Sequence, residues 1–216
     1  MIKSTLSQSW LNKKINKKKK ILFLGYHEKQ TRLINYLREN NYIVFHKENR
    51  ILEIDKKFDL VICFGYRYLL KKETINKLNC LIINLHISLL PYNRGAHPNF
   101  WSFFHDTPKG VTIHMVDEGL DTGKILFQKK IFFSKKEITF RQTYERLFNE
   151  IEDLFIDKIN DIFSRNFILK SQGSGGSYNK KNSLPHNFSG WNSVISQEIK
   201  KLKKEGLKYD KKSFSD

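Results

Sequence analysis

The sequence predicts an α/β fold, a Rossmann-like and mainly parallel sheet with helices on both faces. Three observations carry that expectation. Continuous apolar runs, ILFLGY at 21–26, DLVICFG at 59–65 and LIINLH at 81–86, read as strands covered on both sides. Segments of helical spacing lie between them, as right-handed βαβ units require. Two later strands are joined only by EGLDTG, too short for a helical crossover, so an antiparallel pair is expected near the C-terminal part of the sheet.

Residues 1–20 read as a basic lead-in, 21–165 as the Rossmann-like domain, and 166–216 as a Gly/Ser-rich loop with a basic C-terminal arm. After the first strand, Leu33, Ile34 and Leu37 recur at helical spacing from Glu28 to Glu39, with Asn40-Asn41 as the stop. YIVFH (42–46) and DLVICFG come next as strands, then a short helical pattern over 70–78, then LIINLH. Pro91 ends that strand, and Asn93, Gly95 and Pro98 mark a loop between it and the next helix. PNFWSFFHD (98–106) fits a short helix with Pro98 in its first turn. GVTIHMVD (110–117) and KILFQKKIFF (124–133) are the two late strands. Apolar positions from Ile138 to Phe163 trace a long amphipathic helix, with Ser134 and Glu137 spaced as its capping box.

SQGSGGSYNKKN (171–182) has the composition of a flexible linker. The alternative is a cradle of backbone amides for phosphate, flanked by Lys180 and Lys181. The residues beyond it are too few for an independent domain and predict an arm or small helix docked on the main body, whose aromatic residues could serve as a homodimer contact.

The formal charge of +17 is concentrated in Lys13–Lys20 and Lys200–Lys212. Such a field attracts phosphorylated or anionic partners. Yet no aromatics interleave the first run at base-stacking intervals, and a solvated Lys-rich flank is the simpler account than nucleic acid. Cys63 and Cys80 lack metal-ligand spacing and read as buried thiols of a reducing compartment. No apolar run approaches the ~20 residues of a membrane span, and MIKSTLSQSW lacks the apolar core of a signal peptide. These features predict a soluble, cytoplasmic protein with no metal. The turn after the first strand carries neither GxGxxG nor a Walker loop, which excludes the usual dinucleotide and ATP sites.

Chemistry is concentrated in LIINLHISLLPYNRGAHP (81–98). Asn84, His86 and Ser88 alternate, so a strand would present all three on one face near its carboxyl end, where open α/β sheets build their sites. An imidazole titrates near pH ~6.5, and a carboxylate such as Asp121, in VDEGLDTG, would orient it. The Asn84 amide could donate to a carbonyl oxygen gaining negative charge. Together they suit acyl transfer to an amine. Against this stand plain structural readings: a lone strand histidine is more often a satisfied structural group, and Asp and Gly in a hairpin loop are first of all turn formers. His27, His46, His105 and His186 take the structural reading, while His97 and His114 stay open between site and surface.

NLHISLLP, then NRGA, then GVTIHMVDEGLDTG resemble the folate-dependent formyltransferases in order and spacing from Ile21 to Phe163. The resemblance implies N10-formyltetrahydrofolate as co-substrate. It puts Asn84 and His86 at the formyl oxygen, stabilising the tetrahedral intermediate, and makes Asp121 the group that holds His86 and helps move the amine proton. It implies a folate pocket walled by Tyr68, Leu69 and Leu70 on one side and by Val116, Asp117, Glu118 and Leu120 on the other, with Ser88 and Leu89 adjoining.

Within the family three acceptors compete. HEKQTR comes after the first strand where the glycinamide ribonucleotide enzymes carry a glycine-rich phosphate loop, and little chain remains for the C-terminal domain of the methionyl-tRNA enzymes. The nucleotide-sugar N-formyltransferases resemble it best. That resemblance implies a nucleotide-linked 4-amino-4,6-dideoxyhexose, seated against Asn93, Arg94 and His97, for surface polysaccharides such as O-antigen or lipopolysaccharide. A non-catalytic nucleic-acid-binding protein is the rival of another class.

Overall fold

A computed structural model of the chain describes residues 18–51, 57–134 and 138–206. Strand β1 (Lys20–Gly25) leads to helix α1 (Leu33–Glu39), β2 (Ile43–Lys47), β3 (Leu60–Phe64), α2 (Lys72–Leu78) and β4 (Leu81–His86). Then come the two-residue β5 (Arg94–Gly95), α3 (Pro98–Phe104), β6 (Gly110–Met115), β7 (Ile125–Lys130) and the long α4 (Phe140–Ser164). A short β8 (Tyr178–Asn179), a 3-10 turn (Lys181–Ser183) and α5 (Ile195–Lys204) complete it.

Six strands form one sheet in the order β2-β1-β3-β4-β6-β7. The first four are mutually parallel. β6 runs antiparallel to β7, as expected, and also to β4, so the reversal begins one strand earlier than the sequence suggested. Every residue of β3 is buried, and all of β1 but its first, which is why these strands read as unbroken apolar runs.

Helices cover both faces. Ile21, Phe23, Ile62, Ile83, Leu85 and Ile113 point to one side, where Leu33 and Leu37 of α1 and Leu147, Ile151, Phe155 and Ile159 of α4 close the main core. Leu22, Leu24, Val61, Cys63 and Ile82 point to the other, against Leu78 of α2. The split obeys strand parity.

Some boundaries differ from expectation. α1 starts at Leu33 because His27 to Thr31 is taken up by a turn, in which the His27 carbonyl accepts from Gln30 N (2.8 Å) and Thr31 N (3.2 Å). α4 is capped by Thr139 and Gln142 instead of Ser134 and Glu137: Thr139 Oγ1 accepts from Gln142 N (3.2 Å), and the Gln142 side chain accepts from Thr139 N (3.1 Å). Glu137, like the basic run before Lys18 and the tail after Gly206, lies outside the described residues.

The stretch with linker composition is docked. The pair β5–β8 is parallel, Gly176 lies against Pro91, and Ser177 is buried. Glycine serves close backbone approach here, which composition alone reads as flexibility. Beyond it the C-terminal arm packs Phe188, Trp191, Ile195 and Leu202 against Phe100, Trp101 and Phe104 of α3 and Phe140 of α4. Of the arm's aromatic residues, Phe188 and Trp191 face the body of the same chain.

Candidate active site

Pairing of β4 with β6 sets Asn84 opposite His114 and His86 opposite Thr112. Parity sends these side chains away from the main core, to the face that carries Cys63 and Ile82. β4 ends at His86, and the loop after it folds back over that face: Leu90 N donates to Thr112 Oγ1 (3.2 Å), which in turn donates to Ser88 O (2.7 Å).

Asp121 arrives from the turn between β6 and β7. The Asp117 carboxylate holds that turn, accepting from Gly119 N (3.1 Å) and Thr122 Oγ1 (2.6 Å). Gly123 is obligatory, since a Cβ there would stand 1.8 Å from the Met115 carbonyl oxygen. Asp121 itself has φ of 56°, left-handed backbone that a non-glycine residue rarely adopts.

Its carboxylate is enclosed. Oδ1 accepts from Asn84 Nδ2 at 3.0 Å and Oδ2 from Gly95 N at 2.8 Å. His86 Nδ1 lies 3.6 Å from Oδ2, and His114 Nε2 3.4 Å from Oδ1. Both imidazoles have readable tautomers, because a carbonyl can only accept. His86 Nε2 donates to Asn93 O (3.1 Å), and His114 Nδ1 donates to Met115 O (2.7 Å). In its neutral form His114 therefore offers a lone pair at Nε2, which takes the second amide hydrogen of Asn84 (3.1 Å). A proton added to His86 lands on Nδ1, facing Asp121.

Burial pushes the Asp121 carboxyl upward, but His86, His114 and the Gly95 N–H outweigh it and hold the group well below the usual carboxylate range. It is an anion at neutral pH. Burial lowers the His86 pKa, with Asp121 opposing, so His86 is neutral at pH 7 and poised to gain a proton beside a fixed anion. Cys63 is pushed up to about 12, by burial first and Asp121 second, and stays an un-ionised thiol.

Asn84, His114 and Asp121 form the floor of an open cleft. Its walls are Tyr66, Tyr68, Leu69 and Leu70 on one side and Val116, Asp117, Gly119 and Leu120 on the other. The apolar walls over a polar floor suit a flat heterocycle carrying one reactive polar group.

The sequence-predicted residues divide accordingly. Asn84 and Asp121 meet directly, and His86 stands behind Asp121, outside the cleft lining. Tyr68, Leu69, Leu70, Val116, Asp117 and Leu120 line the cleft. Glu118 does not; its side chain pairs with Lys72 at 3.0 Å in solvent. Ser88 and Leu89 also lie apart, because β4 stops before them: Ser88 Oγ donates to Tyr92 O (2.8 Å), and Leu89 covers Gly110. Asn93 is fully buried, its amide donating to Thr107 Oγ1 (2.8 Å) and its oxygen accepting from Ser177 Oγ (3.2 Å). Arg94 donates to Gln172 Oε1 through Nε (2.9 Å) and Nη2 (2.8 Å), and His97 contacts Lys181 O (3.2 Å) and the Trp191 ring.

The sequence profile of the family described as formyl transferase matches residues 13–159. The chain belongs to the formyl transferase family. A solved relative is the formyltransferase PseJ from Anoxybacillus kamchatkensis, in complex with UDP-4,6-dideoxy-4-formamido-L-AltNAc and tetrahydrofolate. It is 37% identical with a TM-score of 0.74, over 83% of this chain and 97% of that one. A methionyl-tRNA formyltransferase of Clostridium acetobutylicum is 34% identical over 58% of this chain and 40% of its own length. A dTDP-4-amino-4,6-dideoxyglucose formyltransferase of Mycobacterium bovis is 30% identical over 61% of this chain and 55% of its own. The chain thus spans about half the length of these two relatives.

Against this family background, sequence reasoning left His114 undecided and left out two further contributors. His114 became legible only with the β4–β6 register, which a sequence does not display. Gly95 supplies a backbone N–H, invisible in residue type. Gln172 reaches the site from 51 residues away. Among the described residues no group of three or more His, Cys, Asp and Glu could hold a metal, and no helix is long and apolar enough to cross a membrane.

Proposed function

We propose that this formyl transferase moves a formyl group from N10-formyltetrahydrofolate to the amine of a nucleotide-linked amino sugar, a 4-amino-4,6-dideoxyhexose or a relative. The observation that carries the reading is the Asn84–Asp121 hydrogen bond of 3.0 Å at the floor of an apolar-walled cleft. The similarity to PseJ over 97% of that chain supports the sugar acceptor.

The folate supplies the activated formyl group. The pterin would lie between Tyr68, Leu69 and Leu70 and the turn from Val116 to Leu120. Asn84 donates an amide hydrogen to the formyl oxygen as it gains negative charge. Both of its amide hydrogens are already engaged, by Asp121 and His114, so substrate must take the place of one of them. Asp121, which lines the cleft, takes the proton that leaves the attacking amine and shares it with His86 Nδ1 behind it, and the pair returns it through Asp121 to the departing folate nitrogen. Arg94 and His97, on either side of the Gly95 that donates to Asp121, would flank the approach of the sugar nucleotide. On this reading the reaction belongs in the cytoplasm, and its product suits surface-polysaccharide synthesis of the O-antigen or lipopolysaccharide kind.

Methionyl-tRNA is the second reading, favoured by the +17 charge and the Clostridium relative. Incubation with N10-formyltetrahydrofolate and a panel of UDP- and dTDP-linked amino sugars and methionyl-tRNA, with product mass as the readout, separates them. A formylated nucleotide sugar is expected. Formylation of methionyl-tRNA alone would move the conclusion to the second reading, and no formylation at all would contradict both.

A further inference from the structure

We infer that Gln172 is a positioning residue for the reaction proposed above: together with Arg94 it locks Asp121 in its reactive geometry. The inference rests on that reading for its kinetic consequence, though the geometry stands without it. Gln172 belongs to the stretch whose composition looks like a linker. Its carboxamide is fully matched. Nε2 donates to Asp121 O (2.8 Å) and Gly123 O (2.8 Å), while Oε1 accepts from Arg94 Nε (2.9 Å) and Nη2 (2.8 Å). Carbonyls can only accept and a guanidinium can only donate, so the amide has one allowed orientation.

The clamp closes a ring. Arg94 begins β5, and the next residue, Gly95, sends its N–H to Asp121 Oδ2 at 2.8 Å. The left-handed Asp121 backbone, φ 56°, is thus held from the carbonyl side by Gln172 and from the carboxylate side by Gly95, both anchored through residues 94 and 95. A strained conformer persists only where its surroundings over-determine it. Because Arg94 forks onto Gln172, its first role is to brace the site and only its second to meet substrate.

The test uses Gln172→Ala and Gln172→Glu. The Glu variant keeps size and strengthens the Arg94 contact, but it turns acceptor oxygens toward two carbonyls. A packing role would spare it; the clamp would not. We expect kcat to fall about tenfold to a hundredfold in both variants, as for a misplacement of ~1 Å at a reacting group, with KM for the folate within twofold and melting temperatures close to wild type. Wild-type kcat in a folded Ala variant, or full recovery in the Glu variant, would overturn the inference. A substrate-free arm keeps it separate from the proposed reaction: exchange of the Gly95 amide, which donates to Asp121, should speed at least tenfold in both variants. If wild type transfers no formyl group but Gly95 exchange responds, the clamp stands and the functional reading fails. Unchanged Gly95 exchange would refute the clamp whatever the activity.

Discussion

Asn84 gives one amide hydrogen to Asp121 at 3.0 Å and the other to His114 at 3.1 Å, so the end of β4 is tied to the β6–β7 turn and to β6 at a single side chain. Both acceptors are themselves held in place. Asp121 is set by the Asp117 turn and by Gly95, and His114 by its own bond to Met115 O. The site is therefore built by the sheet reversal at β4–β6, where antiparallel pairing faces Asn84 with His114.

Asp121→Asn keeps the shape and removes the charge. Loss of an acid–base group costs about 10²–10⁴ in rate, and kcat should fall in that range. Stability should respond to acid in a defined direction. A carboxyl held low in the fold stabilises it above the unfolded value of about 3.9, and that contribution is lost as pH falls toward the lowered folded value. The stability gap between wild type and variant, measured by urea melts, should shrink from pH 6 to pH 3.

His86 has the other dependence. Its folded pKa lies below the unfolded ~6.5, so on acidification the unfolded chain takes up this proton first, and stability falls with pH across that window. His86→Gln should flatten the slope of unfolding free energy below pH 6.5. The ring proton shifts of His86, read by NMR, should titrate below those of an exposed histidine.

Much of this was legible in sequence, and the exceptions have reasons. The apolar runs, the short β6–β7 connection and the alternation of Asn84 with His86 all come from strand parity and loop length. Ser88 failed the same alternation because β4 stops at His86 and the chain turns. Asn93 looked like a polar loop residue open to substrate, yet Thr107 and Ser177 bury it. The glycines of 173–176 signal freedom by composition, whereas Gly176 is there to admit Pro91. What sequence hid was tertiary register and backbone donors.

Gly95 tests the backbone contribution. It has φ of 85°, and a Cβ would lie 2.4 Å from the Asn179 carbonyl oxygen. Gly95→Ala should destabilise the fold by about 1–3 kcal/mol and loosen the N–H that Asp121 accepts. Thermal melts and kcat should both move, kcat the more.

The arm offers a contrast. Leu202 is fully buried against the α3 cluster. Leu202→Ala should cost about 2–5 kcal/mol, as cavity-forming core truncations do. Because the cluster lies away from the cleft lining, folate KM at a temperature where the variant is folded should stay within twofold.

Everything proposed for the reaction depends on Asn84, set by Asp121 and His114, stabilising charge on the formyl oxygen. The most direct check is turnover of N10-formyltetrahydrofolate with the nucleotide amino sugar that wild type formylates, comparing Asn84→Ala with wild type at matched folded fraction. A loss of about 10²–10³ in kcat is expected, as for removal of an oxyanion donor, with little change in folate KM. Turnover within threefold of wild type in the folded variant would contradict that role.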